Sequence, residues 1–149
     1  MLRVPLLAQS LVVVGVVIAA RSSSPTQVLS HVSRTTWDSV YSSAQAQRGQ
    51  ATYSSTCSRC HQPGLGGADE APPLAGGAFL SSWDGQSLGE LHLRVRTTMP
   101  SDNAGVYTRQ QVSDVIAYML QYNGFPAGTG ELPVDATSLE DIRITAMPR

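Results

Sequence analysis

Cys57-Ser58-Arg59-Cys60-His61 sets two thiols one helical turn apart and follows the second directly with an imidazole. No other cysteine occurs in the 149 residues, too few for a disulfide scaffold. A thioredoxin-type redox pair wants a βαβ setting, and no alternating strand pattern appears in this chain. A structural zinc site usually takes four protein ligands, so Cys57, Cys60 and His61 would have to recruit His92 or His31. A plain disulfide leaves His61 without a purpose. The C-x-x-C-H reading, attachment of a haem c, uses all three side chains. Two thiols at this spacing reach the two vinyl groups of one porphyrin and form thioethers. The adjacent His61 is then carried beneath the ring, where its imidazole ligates iron. With one such motif, one haem c per chain is predicted.

Three helix starts surround the motif. Ser42-Ser43-Ala44-Gln45, Ser87-Leu88-Gly89-Glu90 and Thr108-Arg109-Gln110-Gln111 each fit the S/T-x-x-E/Q box, which satisfies backbone N–H groups left over at a helix start. The first predicted helix runs from about residue 43 to the cysteines, with Ala46, Gly49 and Tyr53 on one stripe. The second covers about 88–97, with Leu88, Leu91 and Val95 facing inward. In the third, Val112, Val115, Ile116, Met119 and Leu120 fall at i, i+3, i+4, i+7 and i+8. Asn123-Gly124, with Pro126 beyond, ends it. Between the first two helices, seven of the fourteen residues Gly64 to Gly77 are glycine or proline, which reads as loop. The expected fold is all-α, with three main helices around one covalently bound haem.

The flanks read differently. Leu11 to Ala20 is an apolar run of ten residues behind Arg3, the length of a signal-peptide core and short of the ~20 needed to span a bilayer. Residues 1–21 are therefore expected to be a signal peptide, with an uncleaved N-terminal anchor as the alternative. Either exports the rest of the chain to the periplasm, and only the anchor ties it to a membrane. Residues 22–38 read as a polar linker with Trp37 docking at its end, 39–126 as the haem domain, and 127–149 as an extension. In that extension Ser138 to Ile144 either adds a short helix or packs on the surface.

Charge narrows the partners. Ten basic and eleven acidic side chains leave a net charge of −1, which excludes a nucleic-acid binder held by a basic field. All ten basic residues are arginine.

A haem iron with one histidine has a second face to fill. Met119 sits on the apolar stripe of the third helix and reads as core. Met147 is near the terminus, and His92 reads as a partly exposed helix histidine. Met99 follows the last turn of the second helix and precedes Pro100, which stops the helix. A thioether on a rigid loop suits an axial ligand, and His/Met pairs are known for cytochromes c. An open sixth position, or His92, is the alternative.

The order CSRCH, Pro72 to Gly76 (PPLAG) and Thr97 to Pro100 (TTMP) between two terminal helices resembles class I cytochromes c over about residues 40–125. More narrowly, SVYSSAQAQRGQATYSSTCSRCH, TTMP, NGFPAG (Asn123 to Gly128) and ELP (Glu131 to Pro133) resemble the cytochrome subunits or domains that accompany quinoprotein (PQQ-dependent) dehydrogenases. The resemblance implies a one-electron carrier, not an enzyme on its own. Its redox partners would include such a dehydrogenase as donor and a terminal oxidase as acceptor. A dedicated subunit of a dehydrogenase complex, or a haem enzyme or gas sensor with an open sixth site, are the rivals. It further implies that a carbonyl of the Pro72-Pro73 pair, Pro72 before Pro73, accepts the Nδ1–H of His61, that Leu74 packs on the haem face, and that Trp83 reaches the propionates, with Arg94 or Arg96 either joining it or lying on a solvated helix face. Gly49 and Tyr53 would meet the third helix near Ile116 and Met119. The absence of lysine departs from relatives that ring the haem edge with it, so a small, largely apolar docking patch is expected.

Overall fold

The structure is a computed structural model that describes residues 34–147. The expected export segment, most of the linker and His31 lie outside the described residues.

Helix α1, Ser43–Thr52, starts where the Ser42 hydroxyl accepts the Gln45 N–H at 3.1 Å. The box is only half made. Gln45 is fully buried and turns its amide to Leu132, donating to its carbonyl at 3.3 Å and accepting its N–H at 2.7 Å. A side chain expected to cap a helix instead imitates a strand partner and pins residues 131–133 to α1. The helix runs on through a π-helical turn, Tyr53–Cys57, in which the Ser58 N–H reaches the Tyr53 carbonyl, into α2, Ser58–His61. Gln62, at φ 65°, stops it.

Helices α4, Leu88–Thr98, and α5, Arg109–Tyr122, both begin with complete reciprocal boxes. Every residue of α5 from Val112 to Leu120 is buried, so it is the central element of the core. Helix α1 crosses it at backbone contact. A Cβ on Gly49 would lie 1.8 Å from the Asp114 carbonyl oxygen, so only glycine fits. The crossing sits at Asp114 and Val115, just before the expected Ile116. Tyr53 meets Tyr118, the residue before the expected Met119, with ring centroids 5.3 Å apart. Beside the crossing, Arg48 donates to both carboxylate oxygens of Asp114 at 3.0 Å and to Glu131 at 2.8 Å. These acceptors raise the Arg48 pKa, the Asp114 bond being the largest cause.

Four features depart from the three-helix expectation. Gly76–Trp83 forms an additional helix, α3. Its start has no side-chain cap and two glycines, Gly76 at φ 75°, so local signals hid it. Burial of Phe79 against the core fixes it, a contribution of roughly 1.5–3 kcal/mol. Residues 34–38, expected within the linker, are packed into the fold. Strand β1, Arg34–Thr35, pairs in parallel with β2, Ile142–Arg143, so the fold is not purely helical. Trp37 docks edge-on to Phe125 at 4.9 Å and donates to the Thr145 carbonyl at 2.9 Å. Of the two readings of the C-terminal stretch, the short helix forms, as α6, Ala136–Glu140, earlier than expected by two residues, and the stretch buries Leu139, Ile142 and Ile144 against α4 and its neighbours. Pairs of two residues are too short to give an alternating pattern; they form because tertiary packing brings distant segments together.

Candidate haem site

A cleft of about 880 Å³ opens between α2, the 64–75 loop, α4 and α5. Cys57, Cys60 and His61 line one wall, Leu91, Val95 and Met99 another, and Val112, Val115 and Met119 the floor. Both thiols are free, Cys57 half-buried and Cys60 exposed. Burial pushes the Cys57 thiol up, which keeps it protonated near neutral pH.

His61 is buried, and its Nδ1 lies 2.9 Å from the Pro72 carbonyl oxygen. A carbonyl can only accept, so Nδ1 carries the proton and Nε2 presents its lone pair. Nε2 has no hydrogen-bond partner among the described residues. A fixed ring with a bare nitrogen is what a metal-ligating imidazole needs. The Pro72 carbonyl is itself held by a small, closed loop. Gly67 N–H donates to the His61 carbonyl at 3.0 Å, Ala68 and Ala71 bond each other at 3.0 and 2.8 Å, and Leu74 N–H reaches the Leu65 carbonyl at 2.8 Å. Gly67 sits at φ 71°, and a Cβ there would fall 2.4 Å from the Ala71 carbonyl oxygen, so the loop closes only around glycine.

The other candidates separate. Met99 caps the C-terminus of α4, its N–H on the Val95 carbonyl at 3.0 Å, and is half-buried on the cleft. Leu74 and Trp83, also half-buried, line the same cleft. Arg94 lines it too, whereas Arg96 donates to the Tyr107 carbonyl at 3.1 Å and does not. Met119 is a fully buried core residue that also touches the floor, and Met147 is 76% exposed and away from it. His92 is buried and not partly exposed. Its Nε2 donates to the Arg109 carbonyl at 3.2 Å, and burial lowers its pKa. It lies outside the cleft lining, so the zinc set with Cys57, Cys60 and His61 is not assembled. Among the described residues no group of three or more His, Cys, Asp or Glu side chains converges on a metal position.

Two supporting contacts escaped the sequence. Asn123, read only as a helix stop, donates to the Leu74 carbonyl at 3.1 Å and accepts the Gly76 N–H at 2.9 Å. It ties the end of α5 to the loop that carries Pro72. Tyr53 donates to the Gln62 carbonyl at 2.6 Å just past His61, and burial pushes its phenol up to about 12. Neither contact has a local signal, because each joins residues from different elements.

The pattern of the family described as "Cytochrome C oxidase, cbb3-type, subunit III" matches residues 44–119, about half of the chain. The chain belongs to this family of c-type cytochromes. Membership implies electron transfer through a covalently bound haem c rather than catalysis by the chain itself. No curated protein matches the sequence. Among solved structures, a chain of the sulfane dehydrogenase SoxCD from Paracoccus pantotrophus is similar, with a TM-score of 0.47 and 18% identity. The alignment covers 72% of this chain and 61% of that one. Both free thiols, the unpartnered Nε2 and the largely apolar cleft fit a haem held through thioethers.

Proposed function

We propose that this chain is a one-electron carrier with a single haem, ligated by His61 and Met99. The observation that carries this reading is the convergence of Cys57, Cys60, the bare Nε2 of His61 and Met99 on one cleft. When bound, the haem supplies a ferric/ferrous couple; the protein supplies ligands, dryness and position. Cys57 and Cys60 tether the ring by thioethers. Pro72 keeps the His61 imidazole in one tautomer and orientation and raises its basicity. Met99 offers a soft thioether, which favours the ferrous state and raises the potential. Leu74, Val95 and Val112 exclude water, and Trp83 and Arg94, on the same cleft, would donate to the propionates.

The reading extends to place and partner. The chain acts in the periplasm, takes electrons from a dehydrogenase, and docks through a patch that is not lysine-rich. Support comes from the apolar N-terminal run, the segments that resemble quinoprotein-associated cytochromes, and the absence of lysine. Intact mass of the exported protein tests the centre of it: one haem per chain, with residues 1–21 gone or retained. A mass without haem sinks it. Met99→Ala should keep the haem and lose the weak sulfur-to-iron band at the red end of the ferric spectrum. A wild type without that band has an open or differently filled sixth site. Copurification with a quinoprotein dehydrogenase, or its absence, decides the donor.

A further inference from the structure

The loop 99–107, between α4 and α5, carries Met99 and is otherwise lightly held. Residues 101–106 are all exposed. Its bonds stay local: Asn103 N–H to the Pro100 carbonyl at 3.0 Å, and Gly105 N–H to the Met99 carbonyl at 3.3 Å. The Met99 N–H and the Tyr107 carbonyl both bond back to α4, the element just before the loop. One bond goes elsewhere. Asp102 accepts from Arg59 at 2.8 Å, and Arg59 is the residue between Ser58 and Cys60 in the thiol motif on α2. Both residues line the cleft. Among the described residues this is the hydrogen bond that joins the methionine loop to α2.

We infer that Arg59 and Asp102 form a clasp across the cleft, positioning residues that hold the Met99 loop closed on the haem. The inference rests on the reading of Met99 as an axial ligand. A loop with few buried contacts opens locally at low cost. A bond broken only in the open form adds its whole free energy to that cost, so it lowers the open population directly. The pair is solvated, 59% and 64% exposed, so its effect is modest and screened by salt. It acts on the loop's opening rather than on the stability of the fold.

The test uses the ferric holoprotein at low ionic strength and imidazole as a ligand that enters only when Met99 leaves. Arg59→Gln and Asp102→Asn should each speed imidazole binding about two- to fivefold, the range an exposed pair covers. The double variant should match either single one. The exchanged pair, Arg59→Asp with Asp102→Arg, should return toward wild type. Added salt should bring wild type up to the variants. Denaturant midpoints should stay unchanged, which separates loop opening from a general loosening. Additive effects in the double variant, or rates equal to wild type, overturn the clasp while leaving Met99 as ligand. A wild type lacking the sulfur-to-iron band overturns both, and the two failures are thus distinct.

Discussion

The α1–α5 crossing, behind the cleft residues of α5, and the 99–107 loop, on the cleft itself, are built on opposite principles. At the crossing, backbone touches backbone at Gly49 and Asp114, and Arg48 bonds Asp114 and Glu131 together. The loop is exposed through residues 101–106 and tied across the cleft by one solvated ion pair. The histidine wall thus inherits the rigidity of the core, whereas the methionine wall is held by contacts that solvent can compete for. Under the proposed His61/Met99 ligation, one ligand is kept fixed and the other adjustable, so the thioether side should be where potential and ligand exchange are tuned.

Gly49→Ala should break the contrast most strongly. Its Cβ has no space beside the Asp114 carbonyl oxygen, and α1 must move bodily. The expected loss is at least ~3 kcal/mol, beyond ordinary overpacking, read from denaturant midpoints. Gly77→Ala, where a Cβ meets nothing within 4 Å, is the control and should be neutral or slightly stabilising. If the two variants behaved alike, the crossing would not be the rigid side. Asp114→Ala removes a nearly buried acceptor but leaves Arg48 half in water with Glu131 still in reach. The cost should be smaller, about 1–2 kcal/mol.

The smallest effect concerns His92, where α4 meets the start of α5. Its folded pKa is lowered by burial, so the unfolded chain binds the proton more readily. Stability from the neutral ring is therefore full above the ordinary histidine value of ~6.5 and is lost as pH falls toward the folded pKa. His92→Gln should flatten that part of the stability–pH profile relative to wild type. A profile unchanged by the substitution would mean that His92 opens to water before it protonates.

The lining of the cleft was easier to read from the sequence than the packing around it. Cys57, Cys60 and His61 stand out by their fixed spacing and Met99 by its place before Pro100, and the structure brings all four to one cleft. Helices α4 and α5 announce themselves through caps and stripes, which are local devices. Helix α3 opens on two glycines with no local cap, so it depends on Phe79 finding the core and on Asn123 reaching the Gly76 N–H. Residues 34–38 and 139–144 look polar or ambiguous in isolation and gain order only by meeting each other and α4. Gln45 is the sharpest instance: the same residue satisfies a capping pattern and a buried bond to Leu132, and tertiary packing chose the second.

The π-helical turn at Tyr53–Cys57 has a consequence beyond continuity. Helix α1 and the start of the turn must present Ala46, Gly49 and Tyr53 to α5, while Cys57, Cys60 and His61 must face the cleft. One widened turn holds an extra residue and so rotates everything after it relative to everything before. It works as a phase shifter, letting a single rod serve two clients that lie in different directions. The length of the 53–57 stretch is therefore under tighter constraint than its composition, and serine or threonine there is tolerable where a deletion is not.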